Sequence, residues 1–145
     1  MSAVVRKEEF TANDVELTPM RRRHLRQVLK IEARVYPRPW SAALFLQEIA
    51  RRSDRYYVVA RLGNDVVGYG GLMVTSTEGH ITTIAVDPDA QRRHIGMRLM
   101  LQMVEESINR GCLSVSLEVR KTNYGAQKMY ERFGFRPVGI RRGYY

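Results

Sequence analysis

The chain predicts an α/β fold of the α+β mixed-sheet kind: a central twisted sheet with helices on both faces. Two observations carry this. Three apolar, strand-like runs follow one another through tight turns between residues 56 and 86, and a long helix-period segment then separates the third from a further alternating run, Leu113–Val119. Strands joined by tight turns pair antiparallel, whereas a strand–helix–strand crossover pairs strands in parallel, so the sheet is mixed. With 145 residues, 44% of them hydrophobic, the chain has enough for one core and too little for two.

Residues 1–13 are polar and irregular and read as a flexible leader, leaving a single domain over 14–145. Val15-Glu16-Leu17 alternates like a strand. Thr18-Pro19 reads as an N-cap and first helical residue, with Leu25, Val28, Leu29 and Glu32-Ala33 following at helical spacing. Pro37 and Pro39 end that helix, and Ser41 caps the next, traced by Leu44, Phe45, Glu48 and Ile49. Tyr56–Ala60 is a strand, Gly63-Asn64-Asp65 a turn and Val66–Val74 a second strand. Glu78-Gly79 turns the chain into a third, His80–Val86. Ile95–Arg110 is the longest helix, with Leu99, Met103, Val104 and Ile108 inward and Gly111 at its C′ position. A strand over Leu113–Val119, a short helix over Tyr124–Phe133 and a last strand over Phe135–Ile140 complete the order.

Composition excludes several classes. No apolar run approaches ~18 residues, so no membrane span is expected, and the N-terminal residues lack the apolar core of a secretory signal. Cys112 is the single cysteine, which rules out an intrachain disulfide, and without a Cys/His cluster no metal is expected. These absences fit a reducing cytoplasm. Lys and Arg number 24 and give a net charge of +9. They occur in blocks (Arg21-Arg22-Arg23, Arg51-Arg52, Arg92-Arg93, Arg141-Arg142) that fit attraction to an anionic cofactor or RNA, or a plain solvated surface.

The densest signal runs from Ile84 to Met97. A strand stops at Asp87-Pro88, a short basic turn follows, and a helix opens at Ile95. That layout converges several backbone N–H groups and the positive end of a helix on one point, a ready site for phosphate. Downstream lie Glu118 on a strand and Tyr130 on a helix.

This order of elements, with Gln91-Arg92-Arg93-His94-Ile95-Gly96 after the third hairpin strand, resembles the GNAT N-acetyltransferases from about Val15 to Tyr145. Within them it is similar to the RimI type, which acetylates the N-terminal α-amine of a ribosomal protein. The likeness rests on Tyr36-Pro37-Arg38-Pro39-Trp40-Ser41, Ile84-Ala85-Val86-Asp87-Pro88, Leu117-Glu118-Val119-Arg120-Lys121-Thr122-Asn123, Met129-Tyr130-Glu131-Arg132-Phe133-Gly134-Phe135 and Arg141-Arg142-Gly143-Tyr144-Tyr145. Two departures stand out. His94 replaces the first glycine of the family's turn, and His tolerates left-handed backbone better than most residues. The family also carries one more strand after the Tyr-Tyr pair, between those of 113–119 and 135–140, so the last family strand is expected to be missing or exchanged with a neighbouring copy.

The resemblance implies acetyl-CoA as cofactor, with direct attack of the amine in a ternary complex. It assigns Glu118 as general base acting through a water, against the plainer reading of a carboxylate paired with Arg120 or a neighbour. Tyr130 becomes the acid that protonates the departing thiolate, where composition alone favours a core tyrosine. Asn123 is expected on the pantetheine arm, also compatible with an Asx turn or helix cap. Ile84, Ala85 and Val86 are expected to offer backbone groups where their strand parts from the 113–119 strand at a bulge, with an N–H near Val86 facing the oxyanion. Arg92, Arg93, His94, Ile95, Gly96 and Met97 supply N–H groups to the pyrophosphate. Tyr36, Trp40, Tyr144 and Tyr145 are expected to bind the acceptor, an N-terminal peptide segment of a ribosomal or other protein.

Two other functions fit parts of the same sequence. A lysine or small-polyamine acetyltransferase keeps the chemistry but calls for an acidic pocket, and no acidic cluster falls near the expected cleft. A non-catalytic basic module binding ribosome or nucleic acid fits the arginine blocks, but has no need of Glu118, Asn123 and Tyr130 together.

Overall fold

A computed structural model describes residues 10–117 together with Lys128, Glu131, Arg132 and Gly134. Among the described residues the sheet has five strands in the order β1 (Glu16–Pro19), β2 (Arg55–Leu62), β3 (Asp65–Val74), β4 (Glu78–Val86) and β5 (Ser114–Leu117). The first three junctions are antiparallel and β4–β5 is parallel, so the mixed sheet follows from tight turns first and a crossover helix later. Helices α1 (Leu25–Val35) and α2 (Ala42–Ala50) cover one face around Val28, Ile31, Phe45 and Tyr69. Helix α3 (Ile95–Asn109) covers the other, around Val58, Leu72, Leu99 and Met103.

A bulge in β4 decides which side chains reach which layer. Gly71 pairs with Thr83 and Leu72 with Ile81, so Thr82 is an extra residue opposite β3. The inserted residue shifts the alternation: Ile81 packs in the α3 layer and Ala85 in the α1/α2 layer. The Thr82 hydroxyl is used by Tyr57, whose phenol lies 2.9 Å from it and donates to Glu48 of α2 at 2.7 Å. β4 thus carries a bulge at Thr82 against β3, whereas the expected parting of Ile84–Val86 from the 113–119 strand involves residues after Leu117 that lie outside the described ones.

Several expectations are corrected. Thr18 and Pro19 belong to β1, paired with Val59 and Val58. Among the described residues β1 pairs on one side only, and there a proline's missing N–H costs nothing. The helix is entered later, through a 3₁₀ turn in which His24 Nδ1 accepts the Arg21 N–H at 2.9 Å. Glu78 and Gly79 already lie in β4. On α3, Ile108 is 63% exposed and Val104 only half-buried; Met100 and Ser107 are inward instead, continuing the step from Ile95, Leu99 and Met103. Glycine is required at 79 because a Cβ there would lie 2.6 Å from the Ser107 hydroxyl oxygen, which already donates to the Met103 carbonyl.

Residues 10–13, expected within the flexible leader, are packed instead: Phe10 is 1% exposed in the α3-layer core and Thr11 caps a short 3₁₀ turn over Ala12–Asp14. The helix ends hold as expected: α1 stops before Pro37, Ser41 Oγ accepts the Leu44 N–H at 3.2 Å, and Gly111 takes φ +88° beyond α3. Lys128, Glu131 and Arg132 are helical, inside the expected helix over 124–133. The rest of that helix, the strand over 135–140 and any strand inserted beside it lie outside the described residues.

Candidate active site

Among the described residues, the 84–86 end of β4 offers an open backbone edge. The Asp87 N–H donates to the Val67 carbonyl of β3 at 2.8 Å. Backbone direction alternates along a strand, so Ala85 also faces β3, while Ile84 and Val86 turn their N–H and C=O groups to the opposite edge. Two side-chain contacts on that edge agree. The Tyr36 hydroxyl donates to the Ile84 carbonyl at 2.6 Å, and the Gln91 amide approaches the Val86 carbonyl at 3.5 Å. Among the described residues β5 pairs only with Glu78–Ile81, short of this stretch. Of the three residues expected here, the structure brings Ile84 and Val86 to the edge. It leaves Ala85 paired with Tyr69, its methyl buried in the α1/α2 layer.

The edge leads directly into a helix N-terminus. Asp87 caps a 3₁₀ turn by accepting the Asp89 N–H at 3.0 Å, and Arg34 of α1 bridges Asp87 at 2.8 Å and Asp89 at 3.2 Å. Then Arg92 and His94 both adopt left-handed backbone, with φ +65° and +64°. His94 is the N-cap residue of α3, in the conformation that the missing glycine would supply without strain. The Arg92 and His94 side chains are exposed. The Arg93 guanidinium instead donates to the Phe10 carbonyl at 2.7 Å and lies 4.6 Å over the Phe10 ring. Ile95 anchors the helix in the core, while Gly96 and Met97 are half-buried in its first turn. First-turn N–H groups have no partner within a helix, so this turn has donors available to an anion.

Across the edge stands the loop after α1. Trp40 is half-buried, with its ring 5.4 Å from that of Phe45. Its backbone N–H donates to Glu32 at 2.9 Å, and the same carboxylate accepts the Tyr69 hydroxyl. Glu32 is 2% exposed, so a carboxylate under the sheet's α1/α2 face holds the loop carrying Tyr36 and Trp40. Burial, then the Glu32 charge, pushes the Tyr69 phenol well above its ordinary pKa, so it stays a donor. Sequence reasoning missed Glu32 as a site-shaping residue. The available signal was an acid seven residues after Leu25, on the helix stripe that also carries Val28 and Ile31.

Glu118, Asn123, Tyr130, Tyr144 and Tyr145 lie outside the described residues. Among the described residues, no group of three or more His, Cys, Asp or Glu is placed to hold a metal ion, and no helix is long and apolar enough to cross a membrane.

A backbone edge running into a helix N-terminus has the chemistry that coenzyme A calls for: amides along a pantetheine would pair with the strand, and a pyrophosphate would accept from the turn. That combination defines a class of acyl-coenzyme A transferases. The acetyltransferase (GNAT) family model matches residues 25–135, and the chain belongs to that family, as an N-acetyltransferase that uses acetyl-CoA. It is 32% identical over 126 residues to the putative [ribosomal protein bS18]-alanine N-acetyltransferase of Bacillus subtilis, covering 87% of this chain and 83% of that one. It is 40% identical over 111 residues to the N-alpha-acetyltransferase RimI of Mycobacterium tuberculosis, covering 74% and 68%. The crystal structure of the ribosomal-protein-S18-alanine N-acetyltransferase from Escherichia coli matches with a TM-score of 0.80 at 29% identity, over 90% of this chain and 83% of that one.

Proposed function

We propose that this enzyme acetylates the N-terminal α-amine of a ribosomal protein, the bS18 type named for its relatives, in the cytoplasm. The observation that carries the reading is the Tyr36 hydroxyl seated on the Ile84 carbonyl at 2.6 Å. It joins the loop expected to bind the acceptor to the strand edge expected to bind the cofactor, so the two substrates meet at one place.

Acetyl-CoA supplies the acetyl group as a thioester. The acceptor nitrogen must reach it neutral, which is far easier for an α-amine (reference pKa ~7.7–8.0) than for lysine (~10.4). Glu118 takes the ammonium proton through a water. The freed lone pair attacks the thioester carbon, and the outward N–H of Val86 meets the charge that develops on its oxygen. The carbon–sulfur bond would break as Tyr130 donates its phenolic proton to the sulfur, and the surplus proton on the acylated nitrogen would return to the Tyr130 phenolate, leaving a neutral amide and a free thiol. Asn123 and the outward groups of Ile84 hold the pantetheine, and the N–H groups from Arg92 to Met97 hold the pyrophosphate. Tyr36, Trp40, Tyr144 and Tyr145 line the acceptor, with aromatic faces excluding water.

Radiolabelled acetyl transfer to three acceptor sets tests this: peptides with a free α-amine, α-blocked peptides carrying lysine, and polyamines. Label on the free α-amines is expected. Label confined to lysine or polyamine moves the acceptor to the alternative class, and no transfer to any set leaves a binding module.

A further inference from the structure

The turn that opens α3 contains two side-chain-bearing residues in left-handed backbone, Arg92 and His94. Such residues carry a steric cost and persist only where their surroundings over-determine them. The surroundings here come from residues 10–15, outside the stretch 25–135 that the family model matches. The Ala12 N–H donates at 3.1 Å to the carbonyl of Arg93, the residue between the two left-handed ones. The Arg93 guanidinium reaches back to the Phe10 carbonyl and covers the Phe10 ring. From the first turn of α3, Arg98 donates to the carbonyls of both Ala12 and Val15. Within the segment, the Thr11 N–H donates to the Asp14 carboxylate at 2.8 Å, which fixes its own shape. Phe10, buried in the α3 layer, anchors its start.

The geometry points to a strap: residues 10–15 hold the 91–95 turn in the conformation that receives the cofactor's pyrophosphate, and so set affinity for coenzyme A. The inference rests on the proposed cofactor site. It assigns Ala12, Arg93 and Arg98 as positioning residues, with the Arg93 cation turned toward the strap. It also accounts for the histidine at the glycine position. A turn clamped from outside tolerates a side chain at 94, and a turn without the clamp does not.

Ala12→Pro isolates the effect. Thr11 sits at φ −121°, ψ 176°, the extended conformation required before proline, and Ala12 opens a 3₁₀ turn where the ring is accepted. The substitution therefore removes the N–H donor and sets the ring's Cδ against the Arg93 carbonyl, so it breaks this one contact between strap and turn. Calorimetry with coenzyme A and with pantetheine, which lacks the pyrophosphate, reads the outcome. Wild type is expected to prefer coenzyme A, and Ala12→Pro to weaken coenzyme A about 3–10-fold, the size of one lost hydrogen bond, with pantetheine unchanged. Adding His94→Gly to Ala12→Pro is expected to restore affinity, because glycine takes positive φ without strain. Arg98→Met, which keeps the side-chain length, is expected to match Ala12→Pro and provides a second variant should the first fold poorly. A wild type that binds both ligands alike removes the cofactor-turn reading and the strap with it. A wild type that prefers coenzyme A, with both variants at full affinity, overturns the strap alone. So does equal weakening of both ligands, or failure of His94→Gly to rescue.

Discussion

The two segments that border the Ile84–Val86 edge are held in opposite ways. The 91–95 turn is largely exposed and clamped from outside, by backbone and guanidinium bonds to residues 10–15. The 36–40 loop is pinned from beneath, by a carboxylate that is 2% exposed and shared between Trp40 and Tyr69. The difference follows from what each segment must present. A turn that offers N–H groups to an anion cannot be buried, so its bonds compete with water and each contributes modestly. A loop that presents aromatic rings can sit on a buried polar group, which is rigid while satisfied and expensive once a partner is lost. The cofactor side should therefore tolerate change, and the acceptor side should be brittle.

The largest loss is expected where neither mode of holding matters. Glu118→Gln and Tyr130→Phe are each expected to lower turnover about 10²-fold or more if the residue is the sole proton carrier. For Glu118→Gln the loss should be worst at low pH, where deprotonating the amine is hardest, with cofactor affinity kept. Steady-state rates across pH 6–9 check this, and wild-type rates in both variants would sink the acid–base assignment.

Next comes Glu32→Ala, which leaves the buried Tyr69 hydroxyl and the half-buried Trp40 N–H without their acceptor. At about 1–3 kcal/mol per orphaned group the loss is roughly 2–6 kcal/mol. For a domain of this size that lowers Tm by about 5–20 °C. Acceptor KM is expected to rise while coenzyme A affinity stays, measured below the new melting point. Glu32→Gln, which retains one acceptor oxygen, should recover part of both. Equal damage to the two affinities would break the contrast between the acceptor and cofactor sides.

The same contrast explains what the sequence made legible. The strand, turn and helix from Ile84 to Met97 could be read because each part has a local signal: an apolar run, Asp-Pro, a basic turn and a helix-period stripe. Even the left-handed His94 followed from its place in that pattern. What escaped depends on partners far along the chain. Pairing with Val58 draws Pro19 into β1, where its local signal favoured a helix start. The β4 bulge at Thr82 exists only opposite Gly71 and Leu72, and it decides that Ala85 turns inward while Ile84 and Val86 turn out. Glu32 carries no local mark of its partner Tyr69, 37 residues on. Phe10 reads as leader because the arginine that covers it is 83 residues away.

Alkaline pH probes the acceptor side without mutation. Tyr57 and Tyr69 both lie in the α1/α2 layer, and burial first, with Glu48 and Glu32 adding, raises both phenols. A raised folded pKa means the stabilisation is complete below the unfolded value of ~10 and is lost as pH climbs above it, because only the unfolded phenols ionise. The two together are expected to cost up to about 3 kcal/mol by pH 11, roughly 1.4 each. Tm measured at pH 8, 10 and 11 should fall a little by pH 10, where half the unfolded phenols are ionised, and most between pH 10 and 11, and Tyr57→Phe should flatten that fall by about half. A Tm independent of pH in that range would show that these phenols are not held protonated by the fold.

The smallest effect is expected from His94→Gly alone, and its smallness is the point. Left-handed backbone costs a side-chain-bearing residue roughly 1–2 kcal/mol, which glycine avoids. Glycine, however, loses about 0.5–1 kcal/mol more in chain entropy on folding. With Arg93 already bonded to Ala12 and Phe10, the turn keeps its conformation whichever residue stands at 94. The net change is expected to stay within about 1 kcal/mol, a Tm shift of roughly 2–4 °C in either direction. Coenzyme A affinity should remain within twofold of wild type. A large gain in affinity would mean that His94 strains the turn despite its clamp. A large loss would mean that the imidazole itself contacts the cofactor, and the cofactor side would then depend on a side chain as heavily as the acceptor side depends on Glu32.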